Sequence, residues 1–215
     1  RKRFMNVSPI IVLDFETTGA SPEAGDRITE VAALRIVEGE ITERFVSLIN
    51  CGVNVPYYIT KLTGITQDMV NHAPLVEEVI PSLLDFIGTD PLLAHNAGFD
   101  EKFLKAESIR QELTPSHNGL ICSLKLARRI LPHQLSYRLG AMADLFNIKF
   151  NGTAHRAEAD AEVTAQLFNY LCMNICHTYG FNSIDQDLLL AINKLTISRV
   201  PKYLKNIAAQ SLLLK

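Results

Sequence analysis

Asp14 and Glu16 stand two residues apart at the end of an apolar run, IIVLDFETTG, where a buried strand is expected. Residues two apart in a strand share a face, so both carboxylates point the same way as Ile10 and Val12. Ionised acids among apolar neighbours are costly, and two together also repel. Either the pair has left the strand, as the turn chemistry of Thr17-Thr18-Gly19 allows, or a divalent cation offsets both penalties.

Two other segments repeat the anomaly. In HRAEADAEVTAQLF, steps of three and four from Asp160 reach Val163, Thr164, Leu167 and Leu171, the apolar stripe of a helix. Glu158 and Glu162 fall about 200° round that helix and are expected to face solvent as ordinary surface charges. Asp160 itself reads as too deep in the helix to cap it. In HNAGFDEKFL, Asp100 shares a flank with Phe103 and Leu104, although a first-turn acid favoured by the helix dipole would be a plain explanation. Three elements that each bring a carboxylate to the core margin are accounted for together by one site for hard divalent ions. His155 lies five residues before Asp160, just ahead of the helix. Histidine titrates near neutrality, which suits a general base beside such a site.

Positioning these groups takes a folded domain. The 215 residues are 47% hydrophobic and 20% charged, enough for one substantial core with a short appendage. After the opening strand, RITEVAALRIVEGEITERFVSLIN reads as two more, joined by a hairpin turn over Glu38–Glu40. A helix follows over LVEEVIPSLLDFI, ended by Gly88, then a short strand in PLLAHN and a helix from Ala97 to Glu107. LICSLKLARRIL is a brief strand running into a helix that stops at Pro132. RLGAMADLFNI is a further helix, and the helix of Asp160 runs on to Gly180. Strands first, then strands alternating with helices, give an α/β domain with a mixed sheet. Two more helix candidates, IDQDLLLAINKL and VPKYLKNIAAQSLLLK, form a tail that could pack on the domain or hold a partner.

Composition excludes several classes. No apolar run approaches the roughly 20 residues of a membrane helix, and the basic opening RKRFMNVSP lacks the apolar stretch of a secretory signal. Cys51, Cys122, Cys172 and Cys176 show no framework spacing, so a reducing cytoplasm is expected. Cys172, Cys176 and His177 on one helix cannot close a tetrahedral zinc site. A net charge of −2 argues against clamping long duplex. Masking four carboxylates with metal would leave the rest slightly positive, compatible with transient binding of a nucleic-acid end.

VLDFETTG, HNAGFDEKFL and HRAEADAEVTAQLF, in this order, resemble the three motifs of the DEDDh 3′→5′ exonucleases, the family that includes the proofreading epsilon subunit of bacterial DNA polymerase III. The resemblance covers about Pro9 to Cys172. It implies an RNase H-like fold with a five-stranded mixed sheet flanked by helices. By this match residues 7–178 form the exonuclease domain and residues 179–215 a helical extension. The match makes Asp14, Glu16, Asp100 and Asp160 the acids that hold two Mg²⁺ or Mn²⁺ ions, and His155 the base that activates water. Leu62 in KLTGIT, Lys61 to Thr66, would wedge against the terminal bases in a substrate loop. Thr17, Thr18, His95 and Phe99 would line the nucleotide pocket. The implied reaction releases nucleoside 5′-monophosphates from single-stranded DNA, in the manner of proofreading. RNA trimming or clean-up of short oligonucleotides would use the same residues, because the 2′-OH is read elsewhere. A non-enzymatic alternative is a module that tethers a polymerase or sliding clamp, for which QSLLL, Gln210 to Leu214, resembles a clamp-binding peptide.

Overall fold

The computed structural model describes residues 9–213, with side chains described as far as residue 210. The basic opening and the end of the QSLLL segment lie outside the described residues. Strands β1 (Ile10–Thr17), β2 (Ile28–Val37) and β3 (Glu40–Leu48) form the antiparallel meander. Glu38 and Gly39 turn between the last two with φ of 53° and 86°, the left-handed pair that a tight hairpin requires. Strands β4 (Leu92–Ala94) and β5 (Leu120–Cys122) add in parallel, giving the order β3-β2-β1-β4-β5.

The pleat of β1 divides the core in two. Ile10 and Val12 face one helical layer, and Ile11, Leu13 and Phe15 face the other. The second layer holds α3 (Val76–Ile87) and α4 (Gly98–Arg110), which bury Val79, Ile80, Leu83, Phe103 and Leu104. The first layer is built on α7 (Ala157–Tyr179), with α5 (Ser123–Ile130) and α6 (Leu139–Phe146) beside it. Ala157, Ala159, Ala161 and Ala165 are buried along α7, so this helix can lie close to β1 and β2. That close approach brings Asp160 to the carboxylates of β1.

Two expectations are corrected. Lys61–Thr66, expected as a loop, is the last turn of α1 (Tyr57–Thr63), a left-handed Gly64, and Ile65 leading to the cap of α2 (Gln67–Asn71). Thr66 Oγ1 accepts from the Met69 N–H at 3.2 Å and starts that second helix. Glu162 is not a surface charge: it is buried, because Arg44 of β3 reaches it at 2.6 Å and Asn151 at 2.8 Å. Asp160 lies in the first turn of α7 but, as expected, does not cap it: its Oδ1 accepts the N–H of His155, a residue ahead of the helix, at 3.2 Å.

The tail packs on the domain. Leu188, Leu189 and Ile192 of α8 (Gln186–Lys194) and Val200 and Leu204 of α9 (Val200–Leu213) belong to the same buried cluster as Leu171 and Ile175 of α7. Asn193 pairs with the backbone of β5: its Oδ1 accepts from Cys122 N–H at 2.6 Å and its Nδ2 donates to Cys122 O at 3.3 Å. All four cysteines are free and buried. Among the described residues, no helix is long and apolar enough to cross a membrane.

Candidate active site

The alternation that sends Ile10 and Val12 toward α7 carries Asp14 and Glu16 to the same side, where β1 has run past the end of its pairing with β4. Both acids are half-buried. Helix α4 covers the far side of that strand end. Its Asp100 is 3% exposed and accepts the Phe15 N–H at 3.1 Å. Asp160 approaches from α7, and Glu16, His155 and Asp160 offer ligand atoms that all lie within 4.8 Å of one another.

The acids suffer from each other's company. Burial, then Asp100, Asp160, Glu16 and Glu30 in turn, hold the Asp14 carboxyl well above the usual range. Burial with Asp160 and Glu30 pushes Glu16 up to about 8, against the Arg156 cation. Asp100 is raised to about 8 by burial, against the N–H bonds it accepts. Asp160 is raised by burial too, partly relieved by His155. Such a set is proton-hungry and rich in hard oxygen donors, and it fits divalent cations bound through carboxylates.

Glu30 is a member of this neighbourhood that motif matching did not single out. It lies directly opposite Glu16 across the β1–β2 pair and is 3% exposed. Arg156 grips it with two nitrogens, Nη2 at 2.6 Å and Nε at 3.0 Å, and the Ala157 N–H donates to it at 2.9 Å. Glu30 thereby pins the start of α7 to β2 and fixes the segment that carries His155. A signal for it exists in the sequence. Glu30 shares the period-two face of Ala32, Leu34 and Ile36, beyond a bulge where Thr29 is the extra residue. The step of three from Ile28 to Val31 marks that bulge.

His155 is exposed and has φ of 63°, so its side chain projects from the chain just before α7. His95 lines the same cleft but is tied down: its Nε2 donates to Tyr137 O at 2.8 Å, and Nδ1 meets Ser123 Oγ at 2.9 Å. Burial holds its pKa below the ordinary value. Phe99 is half-buried, tilted against Phe103 at 5.0 Å. Thr17 donates to Gly19 O at 2.6 Å. Thr18 is turned inward, donating to Asp26 at 3.2 Å and accepting the Arg27 N–H at 3.0 Å. Leu62 stands half-exposed on α1. The structure thus brings together Asp14, Glu16, Asp100, Asp160 and His155, with His95 in the adjoining cleft.

An exonuclease family model, RNase T, matches residues 11–168, the span that carries all of these acids. This chain belongs to that exonuclease family. The exonuclease domain is 36% identical to the DNA polymerase III subunit epsilon of Aquifex aeolicus over 170 residues, 79% of this chain and 83% of that protein. It is 34% identical to a PolC-type DNA polymerase III of Caldanaerobacter subterraneus over 194 residues, 90% of this chain but 14% of the polymerase. The chain spans between 11% and 28% of the length of the first three curated relatives it matches. Among solved structures, exonuclease X in complex with 5′ overhanging duplex DNA superposes with a TM-score of 0.66 at 26% identity, covering 86% of this chain and 99% of that one. The nuclease domain of 3′hExo, a DEDDh family member, shares the fold with a TM-score of 0.69 at 22% identity, covering 80% of this chain and 94% of that one. The mixed sheet with its flanking helices is the RNase H-like architecture of these exonucleases.

Proposed function

We propose that this chain removes nucleoside 5′-monophosphates from the 3′ ends of single-stranded DNA. The observation that carries the reading is the meeting of four carboxylates, from β1, α4 and α7, whose pKa values are all raised, beside an exposed histidine. DNA is favoured over RNA because the relatives above are DNA polymerase III proteins by name. The same names make a polymerase subunit the partner to test first, while the burial of α8 and α9 in the core supports residues 179–215 as a brace for the domain at 7–178.

Asp14, Glu16, Asp100 and Asp160 would hold two divalent ions, Mg²⁺ or Mn²⁺, whose chemistry is to offset the phosphate charge and acidify a water. His155 would take the proton of the attacking water on a ring nitrogen and, being exposed, pass it to solvent. The water oxygen joins the phosphorus while the bond to the 3′ oxygen breaks, and the leaving oxygen gains a proton. The Asp160–His155 backbone bond and the Glu30–Arg156 pair keep the histidine beside the acids during this exchange. Thr17, Thr18, Leu62, His95 and Phe99 are assigned to the terminal nucleotide, and His95 also braces the cleft wall through Tyr137 and Ser123.

The test is a panel of 5′-labelled DNA and RNA oligonucleotides with Mg²⁺ or Mn²⁺. The expected result is a ladder shortening from the 3′ end, faster on DNA, with monophosphate products. Shortening from the 5′ end, or digestion undiminished by EDTA, would refute the reading; faster RNA digestion would move the substrate to RNA.

A further inference from the structure

A cleft of about 980 Å³ opens from His155 and Asp160 and runs along the segment between α5 and α6. Its far wall is made by Arg128, Leu135, Tyr137 and Arg138. His95, expected at the terminal nucleotide, is in its lining, whereas Thr17, Thr18, Leu62 and Phe99 are not. Beyond His95 and the catalytic groups, the cleft therefore offers lining that the terminal nucleotide is not assigned to.

The wall has the character of a preformed anion site. Arg128 and Arg138 are exposed, and among the described residues no carboxylate pairs with either guanidinium. Asp160 is the sole acid in the wall. The segment has no regular structure, yet it is held firmly. Tyr137 donates its hydroxyl to Leu131 O at 2.6 Å, accepts the Gln134 N–H at 3.2 Å, and offers its own carbonyl to His95. Arg128 lies over the Tyr137 ring at 5.8 Å, which orders a side chain that would otherwise be free. Leu135 projects with its whole side chain exposed into the same space. Paired cations, an aromatic support and a bare apolar tip together match a chain of alternating phosphates and apolar sugar or base surface.

We infer that this cleft binds the sugar–phosphate backbone of the substrate strand behind the nucleotide being released, with Arg128 and Arg138 on successive phosphates and Leu135 against a sugar or base. The inference rests on the exonuclease reading and extends it: the enzyme senses strand length beyond its terminal residue. Guanidinium–phosphate contacts carry no sequence information, so the preference is for a strand over a mononucleotide, whatever its bases.

The test compares a DNA 12-mer with the p-nitrophenyl ester of thymidine 5′-monophosphate, which has no second phosphodiester to reach the cleft. Arg138→Ala and Arg128→Gln should each raise KM for the 12-mer roughly tenfold relative to KM for the ester, with kcat nearly constant. Arg138→Lys should recover much of the loss. Each neutral variant should also flatten the plot of log affinity against log salt by about 0.7, the share of one phosphate on a single strand. An unchanged KM ratio with an unchanged salt slope overturns the inference, as does an equal loss on both substrates. Should the wild-type chain cleave neither substrate, the exonuclease reading fails separately. Anisotropy of the labelled 12-mer in EDTA then decides the cleft: equal affinity of wild-type and doubly substituted protein overturns it, and weaker binding by the variant supports it.

Discussion

Helix α4 carries two buried carboxylates, Asp100 and Glu107, seven residues apart on one face and about 10 Å apart along the axis. At its C-terminal end Glu107, fully buried, receives Arg27 at 2.7 and 2.9 Å and Arg110 at 3.1 Å. At its N-terminal end Asp100 accepts only backbone N–H groups, that of Phe15 in β1 among them, and faces Asp14. The fold can thus neutralise a buried acid with arginine, and does so two turns away. Around Asp14 it gathers acids instead. Charge left uncompensated on one end of a helix, and compensated on the other, marks where a cation from solution belongs.

Breaking the uncompensated end should cost activity and spare the fold. Asp14→Ala is expected to lower nuclease turnover by on the order of 10³-fold or more, comparable to removal of a principal charge-stabilising group, with an unchanged circular dichroism spectrum. Wild-type-like digestion would dissolve the distinction between the two ends. His155→Ala should lower the rate by roughly 10²–10⁴-fold with an unchanged circular dichroism spectrum. A rate within a few-fold of the wild-type chain's would remove His155 from the proton transfer.

Breaking the compensated end should do the reverse. Glu107→Ala leaves Arg27 without its partner and should destabilise the protein by roughly 3–5 kcal/mol in urea unfolding, the cost of orphaning one member of a buried pair. Asp100→Asn, without divalent ions, should instead leave stability equal or higher. If both substitutions destabilise alike, the two ends are not different in kind.

The smallest effect sharpens the comparison by pH. Glu16 and Asp100 titrate at about 8 in the folded chain, above the ordinary carboxylate range of an unfolded one. A raised folded pKa contributes stability that is whole below about pH 4 and is lost as pH climbs through 8. In EDTA the unfolding temperature should therefore fall by roughly several degrees between pH 5 and pH 8. Millimolar Mn²⁺ should remove most of that fall by taking the place of the protons. A flat profile in EDTA would mean the acids are already satisfied.

Much of this was legible in the residues. Asp14 and Glu16 were visible because a strand has a period of two, and Asp160 because its helix has an apolar stripe at threes and fours. The antiparallel meander and the long helices followed from the same periods, and the five-stranded sheet from the resemblance to the exonuclease motifs. What escaped depends on partners far away in sequence. Glu162 is buried because Arg44, 118 residues earlier, folds over it, and no local pattern carries that information. Helices α1 and α2 span seven and five residues, too short for a period to stand out. Glu30 was readable in principle, yet the bulge at Thr29 broke the alternation that would have exposed it.

Asn193 has a consequence beyond local pairing. Strand β5 ends the sheet with three residues, and the amide of Asn193 occupies one of its free backbone rungs where another chain could add. A version shortened at residue 179 would open that rung and strip a greasy covering from α7 in the same cut. It should purify as soluble aggregates or ladder-like oligomers, however intact its acids.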